Sequence, residues 1–153
     1  MRVVVTGGAG FIGSNLVDAL LSQGEDVVVL DNESRATGSF RWNMNAENHR
    51  LDVTSYLIPT DPLFKEVDVI FHLAARTQIQ ESIENPHETF NNNYFGTLNM
   101  LEAARLNGVG RFIFSSSSAV YGITPCPHRE DSEIDCMNPY SESKMGGERL
   151  CKL

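Results

Sequence analysis

Tyr140 and Lys144 are the residues whose types and spacing most clearly suggest chemistry. Residues four positions apart lie on one face of a helix, so these two side chains would be neighbours. A phenol, with a pKa of about 10, is a poor base at neutral pH. A nearby ammonium group and a helix N-terminus would each stabilise its phenolate. The pair therefore predicts a tyrosine general base, and the alternative is an exposed helical pair without a catalytic role.

Four consecutive serines, 115–118, follow a short apolar run. If that run is a strand, the serines lie at its carboxyl end, where open α/β sheets bind their ligands. A hydroxyl at this edge could share a proton with a base. The alternative is a polar exit from the strand, and the residues alone do not distinguish among the four serines.

A glycine-rich turn links the first predicted strand to the first predicted helix. Gly7, Gly10 and Gly13 recur at an interval of three in the segment TGGAGFIG. Glycines at such a junction allow a tight turn, close approach of the backbone to a pyrophosphate, and packing of the helix on the strand. The motif predicts a dinucleotide site, although a simple tight loop has the same local composition.

Acidic residues follow the next two predicted strands. Asp31 lies about twenty residues beyond the glycine turn, where a carboxylate binds the adenosine ribose and repels a 2′-phosphate. NAD is therefore favoured over NADP. Arg35 is the counter-argument, because it could pair with a 2′-phosphate or simply be a solvated loop residue. Asp52 and Val53 are expected beside the adenine, with a turn-forming aspartate as the alternative.

The elements that must position these residues can be predicted from periodicity. Apolar β-branched runs predict buried strands, and apolar residues at spacings of three and four predict helices. The expected strands are 2–6, 27–30, 50–53, 67–73 and 111–115. Helices are expected at 11–21, at 86–107 with Asn85 as N-cap and Gly108 as terminator, and from Asn138-Pro139 to the C-terminus, with a loop at 32–48. Strands alternating with helices predict an α/β fold, a Rossmann-type doubly wound parallel sheet of about five strands in one domain, 1–153.

Composition narrows the function. The net charge is −8 and the twelve Lys and Arg residues are scattered, which disfavours nucleic acid. Three cysteines without a Cys-x-x-Cys pair favour free thiols in a reducing compartment, and no metal site is predicted. No signal peptide or membrane-spanning run is visible, so a cytoplasmic location is expected.

The motifs together resemble a known family. They are TGGAGFIG, Asp31-Asn32, Asp52-Val53, His72-Leu73-Ala74-Ala75, the segment 93–97 (NYFGT), the segment 115–122 (SSSSAVYG) and the segment 139–144 (PYSESK). In order and spacing the chain resembles the extended short-chain dehydrogenases that act on nucleotide sugars, and most of all the UDP-sugar 4-epimerases. The resemblance covers nearly the whole sequence.

The resemblance implies an NAD-dependent epimerisation through transient oxidation at C4. Tyr140 would take the proton of the C4 hydroxyl, Lys144 would hold the ribose and stabilise the phenolate, and Ser117 would be the catalytic hydroxyl residue. The implied cofactor-binding residues are Gly7, Gly10, Phe11, Ile12, Gly13, Asp31, Asn32, Asp52, Val53, Leu73, Ala74, Ala75, Asn93, Ser115, Tyr140 and Lys144. The implied substrate-binding residues are Thr77, Ser117 and Tyr140, and Gln78 and Ser82 are further candidates to face a UDP-sugar.

Relatives of this type are about twice as long, so the substrate domain is expected to be absent, with NAD binding retained and turnover weak or lost. A homodimer through helices 86–107 and 139–152 is also implied. Dehydratases carry Asp-Glu directly after the catalytic hydroxyl residue, and decarboxylases carry a Glu two positions after it. Ser118 and Ala119 occupy these positions, which favours epimerisation over dehydration or decarboxylation. An NADP-linked reductase or dehydratase of the same fold is an alternative, and Asp31 and Ala119 argue against it. An NAD-binding module without catalysis is the other alternative, and the nucleotide sugar is not specified.

Overall fold

The computed structural model describes residues 1–34 and 40–153. Within these ranges the strands are β1 (Arg2–Thr6), β2 (Asp26–Asp31), β3 (Glu47–Arg50), β4 (Val69–His72) and β5 (Arg111–Phe114). The helices are α1 (Phe11–Ser22), α2 (Ile79–Glu84), α3 (Pro86–Phe90), α4 (Gly96–Asn107) and α5 (Pro139–Cys151). Short 3₁₀ turns lie at Ile58–Thr60, Pro62–Phe64 and Ser118–Tyr121. No helix in the described ranges is both long and apolar enough to span a bilayer.

The strands form one parallel sheet in the order β3-β2-β1-β4-β5. The chain leaves β1 toward one edge of the sheet and later returns to its other side. The carboxyl ends of β1 and β4 therefore flank the point where the strand order reverses, which is the usual ligand crevice of such sheets. The predicted Rossmann-type α/β fold is confirmed.

Both faces of the sheet are covered, which explains the unbroken valine runs in β1 and β2. Val3 and Val5 point to the face where Val17 of α1 packs. Val4 points to the opposite face, where it joins Met100 and Ala103 of α4 in a second cluster. Alternation along one strand thus supplies two cores, and α1 and α4 are held on opposite faces.

The third strand lies earlier than predicted, at Glu47–Arg50 rather than 50–53. The segment ENHR carries no apolar pattern because β3 is an edge strand, paired with β2 alone. Val53 produced the apolar signal, yet it lies beyond the strand and is buried in the core. The predicted loop 32–48 thus overlaps β3 at residues 47 and 48.

The predicted helix 86–107 is present, but it consists of α3 and α4 joined by a π-helical turn at Asn91–Phe95. It ends at Gly108, which adopts the left-handed conformation (φ 68°) expected of a C-terminal glycine. Asn85 occupies the N-cap position of α3, although its side chain makes no capping bond. The π turn and the short helix α2 were not predicted.

Candidate functional site

The glycine turn closes tightly over the end of β1. Gly7 has φ 68° and donates from its N–H to Leu30 O (2.7 Å), while Gly10 donates to Gly7 O (3.1 Å). A Cβ on Gly13 would lie 2.2 Å from Gly7 O, so no side chain fits there. The backbone of α1 is therefore pressed against the turn, as a pyrophosphate site requires.

The first turn of α1 is open for an anion. Ser14 makes the first helical bond, to Gly10 O at 2.9 Å, so the N–H groups of residues 11–13 have no acceptor within the helix. Phe11 and Ile12 are 80% and 67% exposed, which is unusual for residues of this size. A helix N-terminus with free N–H groups and an uncovered approach fits the pyrophosphate of a dinucleotide.

Two acidic side chains, Asp31 and Asp52, lie at or just beyond the carboxyl ends of β2 and β3. Asp31 accepts bonds from the N–H of Ala9 (3.2 Å) and of Glu33 (2.8 Å), which anchors its carboxylate against the glycine turn. Asp52 accepts a bond from the Asn32 amide (2.8 Å). Burial works to raise the pKa of Asp52, but hydrogen bonds from Thr54 and Asn32 outweigh it and hold that pKa below its usual value. Arg35, the counter-argument to NAD, lies outside the described residues.

A cavity of about 950 Å³ runs along the carboxyl edge of the sheet. Its size and its position at the strand-order reversal suit a dinucleotide. Among its lining residues are these predicted ones: Gly7, Gly10, Phe11, Ile12, Gly13, Asp31, Asn32, Val53, Leu73, Ala74, Ala75, Thr77, Ser115, Tyr140 and Lys144. Three other predicted residues, Asp52, Asn93 and Ser117, do not line it.

Helix α5 brings Tyr140 and Lys144 to the cavity. Its N-terminus is held by a reciprocal capping box between Asn138 and Ser141. Tyr140 is the second residue of the helix, and its N–H donates to Ser82 Oγ at 3.2 Å. This bond fixes the start of α5 against α2 and places both predicted catalytic side chains on the cavity wall.

Lys144 is almost completely buried and donates from Nζ to Ser115 O at 2.8 Å. The ammonium also lies 4.9 Å from the centre of the Phe114 ring. Burial lowers the pKa of Lys144 to about 8. The buried ammonium group of Lys144 therefore places a positive charge at the cavity wall, where solvent screens it little.

The serines of the run 115–118 differ in their positions and contacts. Ser115 and Ser116 line the cavity, and Ser116 Oγ donates to Glu148 of α5. Ser117 is the residue before the 3₁₀ turn, and its Oγ accepts a bond from Ala119 N at 3.2 Å. The catalytic role of Ser117 remains a prediction.

Asn92, which was not predicted, is among the residues that line the cavity. Its Oδ1 is buried and has no hydrogen-bond partner within the described residues. A buried acceptor left unpaired is costly, which marks Asn92 as a residue of the cavity wall whose hydrogen bonding is incomplete. The predicted neighbour Asn93 instead makes three hydrogen bonds within the protein. Its Oδ1 accepts from Arg76 N (2.8 Å), and its Nδ2 donates to Arg76 O (2.9 Å) and to Ser143 Oγ (2.9 Å). Asn93 thus ties the loop after β4 to α5 from behind the cavity.

Candidate substrate residues differ in position. Thr77 lines the cavity and is exposed. Gln78 precedes α2 and is also exposed. Ser82 is buried, with its Oγ donating to Ile79 O (2.6 Å) and accepting from Tyr140 N, so its hydroxyl serves the packing of α2 on α5.

His72 forms a buried link behind the cavity. Its Nδ1 lies 2.7 Å from Thr6 Oγ1, and its Nε2 lies 3.1 Å from Thr97 Oγ1. Thr97 donates to Asn93 O (2.6 Å) and must therefore accept from His72 Nε2–H, which makes Nδ1 the acceptor from Thr6. Burial, and to a lesser degree Lys144, lowers the pKa of His72 to about 3, so the ring is neutral.

Comparisons with known proteins agree with this geometry. The family model described as "NAD dependent epimerase/dehydratase family" matches residues 3–153. A putative UDP-glucose 4-epimerase of Methanocaldococcus jannaschii is 38% identical, with 99% of this chain aligned to 50% of that protein. The chain therefore spans about half the length of the curated relatives it matches.

Solved structures show the same fold. A crystal structure of a UDP-galactose 4-epimerase superposes with a TM-score of 0.89 and is 43% identical, covering 99% of this chain and 50% of the other. The UDP-glucose 4-epimerase of Thermus thermophilus in complex with NAD superposes with a TM-score of 0.90 at 35% identity, over the same shares of the two chains.

Proposed function

The chain belongs to the NAD-dependent epimerase/dehydratase family, and from this premise we propose that it carries the NAD-binding and catalytic half of a UDP-sugar 4-epimerase. One observation carries the proposal. Residues of the glycine turn, together with Asp31, Tyr140 and Lys144, line one cavity along the carboxyl edge of the sheet. Binding and proton transfer would therefore occur side by side.

The residues divide the chemistry between them. The glycine turn and Asp31 would hold NAD, which would supply a hydride acceptor and, once reduced, a hydride donor for oxidation and re-reduction of the sugar's C4 alcohol. Tyr140 removes the proton of the C4 hydroxyl and later returns it. The positive charge of Lys144 and the N-terminus of α5 stabilise the phenolate. Ser117 hydrogen-bonds the same hydroxyl.

Epimerisation is preferred to elimination because of the residues after Ser117. A dehydratase or decarboxylase of this family type needs an additional carboxylate there, whereas this chain has Ser118 and Ala119. Incubation of UDP-glucose and UDP-galactose with the protein distinguishes these reactions. Interconversion of the two sugars supports the proposal, and a 4-keto-6-deoxy product would contradict it.

The expected activity of the 153-residue chain is low. It spans about half the length of its relatives, so part of a sugar pocket is expected elsewhere. The alternative candidate is an NAD-binding module without turnover, which would use the same cavity. We propose that NAD binding survives in either case, and robust epimerisation by the purified chain would exclude the second candidate.

Cofactor selectivity is the sharpest test of the site. Isothermal titration of the purified chain should give tighter binding of NAD than of NADP, since the Asp31 carboxylate binds a ribose diol and repels a phosphate. Asp31→Ala should weaken NAD binding by about tenfold, or about 1.4 kcal/mol.

Asp26→Ala is the matched control. Asp26 lies at the opposite end of β2 and pairs with Arg2 at 2.7 Å, so its loss should leave NAD affinity unchanged. Equal affinity for NAD and NADP in the parent chain would refute the assigned role of Asp31.

We also propose a homodimer built from helices 86–107 and 139–152. Phe95 and Leu98 support it, because they are 53% and 41% exposed on the first of these segments. Large apolar side chains on a helix surface are typical of a contact surface.

A further inference from the structure

Cys126 and His128 form a thiol–imidazole pair away from the cofactor cavity. They lie in the loop between the 3₁₀ turn Ser118–Tyr121 and α5. Cys126 Sγ and His128 Nε2 are 3.6 Å apart, which is hydrogen-bonding distance for sulfur. The cysteine is exposed and free, so a solute can reach it.

Two neighbours hold the imidazole in place. The ring of His128 stacks on Tyr121, with 5.1 Å between centroids and 20° between planes. On the other side, His128 Nδ1 lies 3.2 Å from Thr124 Oγ1. When Nδ1–H donates to Thr124, the lone pair of Nε2 faces the thiol. A nucleophile, a base and a third group that orients the base are the parts of an activated nucleophile.

We propose that Cys126 is a reactive thiol, activated by His128, that exchanges with small disulfides. His128 Nε2 takes the proton of Cys126, and the thiolate attacks one sulfur of the disulfide. The disulfide's S–S bond breaks as a bond forms between Cys126 Sγ and the attacked sulfur. The other sulfur leaves with the electron pair and takes the proton from His128. The products are a mixed disulfide on Cys126 and one free thiol.

The other two cysteines provide an internal contrast. Cys136 is partly buried, its Sγ lies 3.8 Å from Val120 O, and burial raises its pKa. Cys151 is exposed as a whole residue, but its sulfur is partly buried. This burial and the charge of Glu148 raise the pKa of the Cys151 thiol. Neither thiol has a histidine among its hydrogen-bond partners within the described residues.

The test compares single-cysteine variants of the full chain. Dithiodipyridine is a neutral disulfide whose released thione absorbs light, so each rate can be measured by stopped flow at neutral pH. Cys136→Ser/Cys151→Ser leaves only Cys126, and Cys126→Ser/Cys136→Ser leaves only Cys151. We expect Cys126 to react about tenfold faster.

His128→Gln in the Cys126-only background should remove most of this advantage, and Thr124→Val should remove part of it. His128→Asn is a second variant in case the glutamine disturbs the loop. Circular dichroism and NAD titration verify that each variant is folded. Equal rates for Cys126 and Cys151, or an unchanged rate in folded His128→Gln and His128→Asn variants, would overturn the proposal. Mass spectrometry after incubation with glutathione disulfide should show one added glutathione on the Cys126-only chain.

Discussion

Gly13 shows how little space the turn leaves at the level of a single residue. Gly13→Ala would place a Cβ 2.2 Å from Gly7 O and 2.7 Å from Gly8 Cα, both backbone atoms that cannot move independently. We expect a loss of about 1–3 kcal/mol in the free energy of unfolding, with NAD binding abolished. Urea denaturation and calorimetric titration measure the two effects.

Gly110→Ala is the control for that substitution. A Cβ at Gly110 would meet Asp68 O at 3.6 Å, which is an ordinary contact. Its effect on both quantities should be small. If Gly13→Ala changes stability and NAD affinity as little as Gly110→Ala does, the inference that α1 packs tightly on the turn is wrong.

Lys144 should leave a signature in the pH dependence of stability. Its pKa is about 8 in the folded chain because of burial, against 10.5 for an unburied lysine. Between these values the unfolded chain binds more protons, so the contribution of Lys144 to the free energy of unfolding rises with pH. Lys144→Met lacks this contribution.

The measurement is thermal unfolding of both chains without NAD. The melting temperature of Lys144→Met minus that of the parent should fall as the pH rises from about 7 to about 10. Titrating groups that do not interact with Lys144 are shared by the two chains and cancel in the difference. A constant difference would mean that the ammonium is better solvated than its burial implies.

At the level of elements, the start of α5 positions the proposed catalytic pair, and its cap can be tested separately. Asn138 Oδ1 accepts from Ser141 N at 2.9 Å, and Asn138 N donates to Ser141 Oγ at 3.2 Å. Asn138→Ala should lower the free energy of unfolding by about 1 kcal/mol. The chain also supplies the control, because Asn85 occupies the N-cap of α3 without a side-chain bond. Asn85→Ala should have little effect in the same urea titration, and equal losses would contradict a specific role for the capping box.

The π turn Asn91–Phe95 has a different consequence, because it changes the direction in which successive side chains point. Within it, Asn93 turns toward Arg76 and Ser143, while Asn92 lines the cavity. π turns are frequent at functional sites. Residues of this turn thus contact both the cavity and α5.

At the level of the whole molecule, the proposed dimer can be disrupted without touching the cofactor cavity. Leu98 is 41% exposed on α4, and a charge at this position would be buried in the proposed interface. Leu98→Glu should shift the chain from dimer to monomer in light scattering after gel filtration, with NAD binding retained. Ile123→Glu is the control, since Ile123 is 78% exposed in a loop outside the two helices. A parent chain that is monomeric at all concentrations would refute the dimer.

Much of the fold and of the candidate cofactor site could be predicted from the sequence alone. Three features depend only on the spacing of residues within one strand, turn or helix, and local backbone geometry fixes that spacing. They are the glycine turn, Asp31 after β2 and the Tyr140–Lys144 pair. The doubly wound sheet likewise followed from the alternation of strands and helices, and it is confirmed.

Other features depend on contacts between distant segments, which spacing does not encode. The edge strand β3 is polar and is defined by its pairing with β2. Asn93 is held away from the cavity wall by its bonds to Arg76 and Ser143, and Ser82 is turned toward α5 by its bond to Tyr140. The neutral state of His72 follows from burial between Thr6 and Thr97, which lie far apart in the sequence. Local sequence determines how side chains are arranged on one element, but tertiary packing decides which elements meet and therefore which polar atoms are left free for a ligand.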